Sequence, residues 1–424
     1  MAEINRSQPV TDRLALLYRL SQTFNSSLNL DEVLNRVMDE VIAVTRAERG
    51  FVMLHEAGGE LVFRAARGMD QSTIDDPQFQ ISRGVVERVA REGQPVLTSN
   101  AQLDDRFSMR HSVVDLGLRS ILCVPLKVQD QVTGVVYVDN RLRAGIFTQD
   151  DLDLLSAIAS SAAIAVENAR LYQLAVEKGR LERELQLAHE LQASLLPQET
   201  PEVSGWEFAA RWLPARQVSG DYYDFVPGDG GKLGLVIADV SDKGTPAALF
   251  MALTRSVVRA CAGHAPSVAD AVVHANRLIC ADSNEGMFVT LFFGLLDAAA
   301  GDLTYVNAGH NPPLLCRASD TEAGSPVELR PTGVALGLSE SFPFEQRTVH
   351  LDPGDLLVLY TDGVPDATGA GPERFGMHRL RRVIQEHRQA SAAGFLEALE
   401  DAISEFTGSA PQFDDIAIVI AKRR

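Results

Sequence analysis

The period of the hydrophobic positions changes repeatedly along this chain, and each change marks a predicted element. Between Thr11 and Phe24 leucines recur at helical spacing, at Leu14, Leu17 and Leu20. The next run, SSLNLDEVLNRVMDEVIAVTRA, places Leu30, Val33, Leu34, Val37, Val41 and Ile42 on one face of an amphipathic helix. The pattern then shortens to β-type runs: GFVMLHE, ELVFRAAR, PVLTSN, SILCVPLKV and VTGVVYVDN, with turn-like EAGG and QDQ between them. Helical spacing returns in FTQDDLDLLSAIASSAAIAVENARLY, where Thr148 and Asp151 form a capping pair. Helices, antiparallel strands and a closing helix predict one α+β domain over residues 10–172.

The helical pattern continues through QLAVEKGRLERELQLAHELQASLL to Pro197. Alternating steps of three and four from Leu171 give Leu171, Leu174, Lys178, Leu181, Leu185, Ala188, Gln192 and Leu195. This is a heptad seam, with polar breaks at Lys178 and Gln192 and a glycine at Gly179. One long amphipathic helix lying on its own domain satisfies the same pattern. The sharper reading is a parallel coiled coil over residues 173–197, joining two domains and making the chain a homodimer.

After Pro197 the texture changes again. YYDFVPGDGGKLGLVIADV reads as a hairpin turning at GDGG, and FVTLFFGLLD with LTYVNAGHNPPLLCR as a second. FEQRTVHL and DLLVLYTDG read as a third pair, and FDDIAIVIAKR as a closing strand. Helical runs come in twos, Thr245 to Ala262 with Ser267 to Cys280, and Arg374 to Glu386 with Ala390 to Glu405. Antiparallel strands with paired helices predict two stacked sheets covered by helices over residues 198–424.

Composition narrows the function. The 424 residues are 46% hydrophobic and 23% charged, a globular balance that allows two or three domains. The net charge of −18 opposes nucleic acid or an anionic membrane as a general partner, because binding there requires Lys and Arg on phosphates. No apolar run of membrane-spanning length is expected, and MAEINRSQPVTDRL does not read as a signal peptide. Cys123, Cys261, Cys280 and Cys316 are scattered without a CxxC, so a cytoplasmic protein without disulfides is expected, with Cys123 and Cys280 as buried thiols.

Aspartates recur at the margins of apolar runs: Asp221 and Asp224 in SGDYYDF, Asp239 in VIADVS, Asp362 in LVLYTDGV, and Asp414 and Asp415 in QFDDIAIVI. Any one of these fits a turn or a helix cap. Several together, if they converge, repel one another unless cations hold them, and oxygen-only ligands suit Mg²⁺ or Mn²⁺ over zinc. NAGHN has no D-x-H partner motif, so His310 reads as structural. GDGG is a turn and not a phosphate loop. Arg216 and Lys243 either contact a substrate phosphate or are ordinary surface charges. His55 and His111 have no ligand-like spacing.

In order along the chain, LQASLLPQETPEVSGWEFAARWLPARQVSGDYYDF, IADVSDKGTPAALFMA, FVTLFFGLLD, VNAGHNPPLL, GVALGL, LYTDGV and DDIAIVI resemble bacterial metal-dependent protein phosphatases. The type is that of sporulation stage II E and the stress-sigma-factor regulators, a branch of the PPM superfamily. The resemblance implies an αββα sandwich over residues 198–424 holding two Mn²⁺ or Mg²⁺ ions, with hydrolysis of phosphoserine or phosphothreonine. By the same resemblance Asp239 bridges both metals, helped by the carbonyl of Val240, and Asp362 and Asp414 hold the second. Asp221 or Asp224 orders metal-bound water. Gly244 permits the tight turn, and Thr245 caps a helix with Pro246 at its first position. Asp242, Ala417 and Pro365 depart from the family's usual residues, and none of them removes a ligand.

Residues 10–172, through RSILCVPLKVQDQVTGVVYVDNRLRAGIFTQDDLDLLSAIASSAAIAVENARLY, resemble a GAF domain, a small-molecule sensor fold. The cyclic-nucleotide signature is met only in part by Asn140, Arg141, Phe147 and Asp151, with Leu152 where that signature has glutamate. The ligand therefore stays open, as does whether there is one. The whole implies a multidomain α+β protein: a GAF sensor, a helical coiled-coil linker and a phosphatase. The substrate implied is a phosphorylated anti-anti-sigma (STAS) protein in a partner-switching pathway. A catalytically silent scaffold and a hydrolase of small phosphate esters are the alternatives.

Overall fold

The computed structural model describes residues 8–56, 58–70, 72–73, 81–98, 119–142, 144–263, 265–283, 286–319 and 326–424; His111 lies outside them. The chain divides into two compact units, up to Leu181 and from Glu182 onward.

The first unit runs α1 (Gln8–Phe24), α2 (Leu30–Thr45), β1 (Arg49–His55), β2 (Leu61–Gly68), α3 (Arg83–Glu92), β3 (Val96–Thr98), β4 (Ser120–Val128), β5 (Gln131–Asn140) and the first part of α4 (Gln149–Leu195). Asn29 starts α2 by accepting the Asp31 and Glu32 N–H groups at 3.0 and 3.2 Å, a cap that contributes about 1 kcal/mol. Thr148 and Asp151 cap α4 reciprocally: the Asp151 carboxylate accepts the Thr148 N–H at 2.8 Å, and Thr148 Oγ1 accepts the Asp151 N–H at 3.3 Å. The antiparallel sheet has the order β2-β1-β5-β4-β3. Strand alternation splits its core in two. Val52, Val124, Val136 and Val138 pack with α2 and α4, while Phe51, Met53, Cys123 and Tyr137 pack with α3. Helix α3 was not among the expected elements, because RGVVERVARE buries only Gly84, Val85, Val86 and Val89. Across β1 and β5, Arg49 Nε donates to the buried Asp139 carboxylate at 2.9 Å.

Helix α4 is continuous over 47 residues. Contrary to expectation, it contains one stretch long and apolar enough to cross a membrane by composition alone. The reason lies in the fold: Leu155, Ile158, Ala159, Ala162, Ala163 and Val166 make it a core helix of the first unit.

The second unit contains β6 (Trp206–Leu213), β7 (Tyr222–Pro227), β8 (Lys232–Val240), α5 (Thr245–Ala262), α6 (Val268–Asp282), β9 (Val289–Asp297), β10 (Asp302–Ala308), β11 (Leu314–Cys316) and β12 (Val327–Glu328). It continues with β13 (Arg347–His350), β14 (Leu356–Tyr360), α7 (Gly376–His387), α8 (Ala392–Thr407) and β15 (Ile416–Arg423). One antiparallel sheet has the order β13-β10-β9-β8-β7 and the other β12-β11-β14-β15-β6. Helices α5 and α6 cover the first sheet, and α7 and α8 the second. Leu235, Ile237, Phe292, Leu357, Leu359 and Val419 fill the space between the sheets. The result is the expected αββα layering.

Three local expectations are corrected. The run FEQRTVHL forms β13 at the edge of the first sheet, and DLLVLYTDG forms β14 inside the second, so they do not pair. Residues of β13 are largely exposed, as an edge tolerates, whereas β14 is buried along its whole length. Gly244, with φ of 82°, is the N-cap of α5 in place of Thr245. Cys280 is only half-buried, and its thiol points to Asn276.

Candidate active site

Side-chain alternation explains how carboxylates from both sheets reach one place. In β8 Val236, Ala238 and Val240 face the helices, while Leu233, Leu235 and Ile237 face the opposite sheet. Asp239 keeps the second register and sits at the strand end between the sheets. In β7 Tyr222 faces the helices and Tyr223 the opposite sheet, so Asp221 also falls on the inner side. Tyr222 pairs with Ala238, which sets Asp221 one rung on, opposite Asp239. In β14 Leu357 and Leu359 face inward, and Thr361 and Asp362 follow at the same end. Asp414 and Asp415 lead into β15 from there.

Their shared electrostatics show that these groups converge. Burial, and then the Asp239 charge, push Asp221 well above the usual carboxylate range. Burial and the Asp362 charge raise Asp239 to about 7. Burial and Asp414 raise Asp362. One buried oxygen, Asp221 Oδ2, has no partner. A counter-charge comes from Lys243, whose Nζ lies 2.8 Å from Asp414 Oδ2. Among the described residues no three His, Cys, Asp or Glu side chains close into a ready-made metal cage. What gathers is a set of carboxylate oxygens that one lysine only partly balances, with one orphaned atom, and that chemistry fits a hard divalent cation.

Asp224 does not join this group. It lies on the helix side of β7, where Arg259 Nη1 donates to both its oxygens at 2.8 Å and Arg255 Nε stands 3.2 Å away. Asp415 is committed to the backbone: it accepts the Ala215 N–H at 2.7 Å and the Gly220 N–H at 3.0 Å. Glycines allow these crossings. A Cβ on Gly220 would lie 3.0 Å from the Val240 carbonyl oxygen, and one on Gly363 would lie 1.9 Å from that of Asp415. His310 is buried beside this group, and its Nε2 has no partner. Its N–H donates to Asn307 Oδ1, and its Nδ1 meets Thr290 Oγ1 at 2.8 Å, beside Asp239 in the ladder. Burial lowers its pKa to about 4, which keeps the ring neutral.

The sequence reading missed how the end of α4 holds this site. Gln192 Nε2 donates to the Ser219 carbonyl at 2.7 Å, and the Ser219 N–H donates to Gln192 Oε1 at 3.0 Å. One turn earlier His189 stacks on Trp212 with ring centroids 5.5 Å apart, and its Nδ1 meets the Gln217 carbonyl at 2.8 Å. Trp212 Nε1 in turn donates to the Asp221 carbonyl at 2.9 Å. The signal was present as a polar residue interrupting an apolar seam.

Comparison with known proteins places these observations. Residues 229–424 match the family model of Stage II sporulation protein E (SpoIIE), and residues 27–167 that of the GAF domain. The chain is 33% identical to Protein IcfG of Synechocystis sp., over 58% of this chain and 43% of that protein. It is 28% identical to Phosphoserine phosphatase RsbU of Bacillus subtilis, over 58% of this chain and 71% of that protein. The SiaA-PP2C domain of Pseudomonas aeruginosa superposes with a TM-score of 0.52 at 21% identity, covering 59% of this chain and 99% of that domain, and so shares the fold.

Proposed function

For a chain that joins a GAF domain to a Stage II sporulation protein E phosphatase domain, we propose a sensor-regulated, metal-dependent protein serine/threonine phosphatase. The observation that carries the reading is the meeting of Asp221, Asp239, Asp362 and Asp414 from the strand ends of two sheets. Asp239, the Val240 carbonyl, Asp362 and Asp414 hold two Mn²⁺ or Mg²⁺ ions. When bound, these ions acidify a water and neutralise the phosphoryl oxygens. Asp221 accepts a hydrogen bond from the attacking water and orients it, while Asp224 is left to tie β7 to α5. The water oxygen bonds to phosphorus, the phosphorus–serine oxygen bond breaks, and the serine oxygen takes the proton that the water gives up.

The substrate we propose is a phosphorylated STAS-type anti-anti-sigma protein, acted on in the cytoplasm. Support comes from the relative RsbU, a phosphoserine phosphatase. The signal enters at the GAF domain, where a cavity of about 980 Å³ borders Met53, Phe63, Ile81, Arg83 and Val86 and suits a small molecule. Leu171, Leu174 and Leu181 of the seam are each more than half exposed, which supports a coiled-coil homodimer. The test is phosphate release from a phosphoserine STAS protein by the full chain during a Mn²⁺ titration. Release should require the metal and fall by about three orders of magnitude in Asp239→Asn. Hydrolysis of small esters alone would move the reading to that substrate class, and no release at saturating Mn²⁺ would leave a scaffold.

A further inference from the structure

Beside the carboxylates the second unit carries two contiguous cavities. One, of about 390 Å³, is lined by Arg216 and Lys243. The other, of about 330 Å³, is walled by Leu213, Ala367, Ile403, Phe413, Ile416 and Ile418. The two meet at Phe413, which lines both and carries the Lys243 ammonium 5.0 Å above its ring. The apolar cavity begins next to the carboxylates in sequence as well as in space. Gly363, which follows Asp362, and Phe413, which precedes Asp414, both line it. Its one charged neighbour is already neutralised, because Arg211 donates to both oxygens of Glu400. The site thus offers Arg216, and Lys243 already paired with Asp414 at 2.8 Å, for a phosphate and, directly alongside, a pocket with apolar walls and no free charge.

We infer that this pocket takes an apolar side chain of the substrate, flanking the phosphoserine, and thereby sets substrate preference; the inference rests on the phosphatase reading above. An extended segment advances about 3.3–3.6 Å per residue, so the side chain that enters belongs to a residue close to the phosphoserine. Leucine- or isoleucine-sized groups gain most from such burial, and acidic or basic groups find no partner there.

The experiment measures kcat/KM of the full-length protein, with Mn²⁺, on phosphoserine peptides that carry Leu, Gly or Asp at each neighbouring position. p-Nitrophenyl phosphate serves as a substrate with no flanking residue. One position should favour Leu over Gly and Asp by about tenfold or more. Ser404→Trp, on the exposed rim of the pocket, should block the mouth and erase that preference, while Ser404→Ala keeps it. Equal rates across the peptides, or a leucine preference that survives Ser404→Trp in a protein with an unchanged melting temperature, would overturn the pocket while leaving the phosphatase intact. Absence of hydrolysis of every peptide and of the ester would overturn both.

Discussion

Gln192 offers the most direct test of how the linker helix acts on the site. Its amide makes two hydrogen bonds to the backbone of Ser219, a residue with no exposed surface, and is itself only 5% exposed. Gln192→Leu keeps the volume and removes both bonds, leaving a buried N–H and a buried carbonyl without partners. Each such orphan costs about 1–3 kcal/mol, so the substitution should cost about 2–4 kcal/mol once the loop relaxes toward water. Much of that cost is local, because residues 214–221 can loosen without unfolding the sheets. Hydrogen exchange followed by mass spectrometry should show the amides of this loop exchanging about 30- to 1000-fold faster, the equivalent of that energy. Phosphate release should fall alongside, because Asp221 sits at the end of the loop. Leu191→Ala, at a neighbouring position that is 69% exposed, should change neither quantity. If the loop in Gln192→Leu exchanges at the wild-type rate while the protein stays folded, the clamp has no energetic role and the reasoning fails.

Three further outcomes are expected. Asp242 holds a φ of 82°, which costs a non-glycine residue about 1 kcal/mol, so Asp242→Gly should raise the unfolding free energy measured by urea titration by up to about 1 kcal/mol, less the loss of its bond to the Lys243 N–H. His310 titrates near 6.5 when unfolded and at about 4 when folded, so the unfolded chain binds the extra proton between those values. Wild-type stability should therefore fall, by on the order of 3 kcal/mol, as pH drops from above 6.5 to below 4. His310→Gln should lack that part of the slope in unfolding curves taken across the interval. Asp224→Asn should destabilise the protein by about 2–3 kcal/mol by leaving Arg255 and Arg259 without their carboxylate, yet keep the metal dependence of phosphate release in the folded fraction.

The strands of the first unit and the αββα layering of the second were legible because alternation and turn chemistry agree locally with the fold. The carboxylates at the strand ends were legible as a pattern, and resemblance supplied their roles. Pairing over distance was not. Nothing in FEQRTVHL and DLLVLYTDG says that they belong to different sheets, because each satisfies strand patterning alone. The sequence does not separate the two aspartates of GDYYDF, although they are three residues apart and a strand alternates by two. Counting from Tyr222 and Tyr223 would have put one inside and one against α5, had the direction of either tyrosine been known. Helix α3 was hidden by its charges. Gln192 looked like a flaw in a heptad because its partner, the backbone of Ser219, carries no signature in the sequence.

Strand β15 has a consequence for the order in which the protein is made. It lies between β14 and β6, and its pairing with β6 joins Ile416 to Leu213 across most of the second unit. Asp414 arrives with that strand. During synthesis β6 leaves the ribosome some two hundred residues before its neighbour exists, at about 5–20 residues per second, and waits as an open edge for tens of seconds. In the last part of that interval, once Asp362 has been made, a nascent chain holds Asp221, Asp239 and Asp362 without Asp414. Until then the unfinished protein exposes a strand edge that invites aggregation and lacks one of its converging carboxylates, and both conditions end with the insertion of one strand.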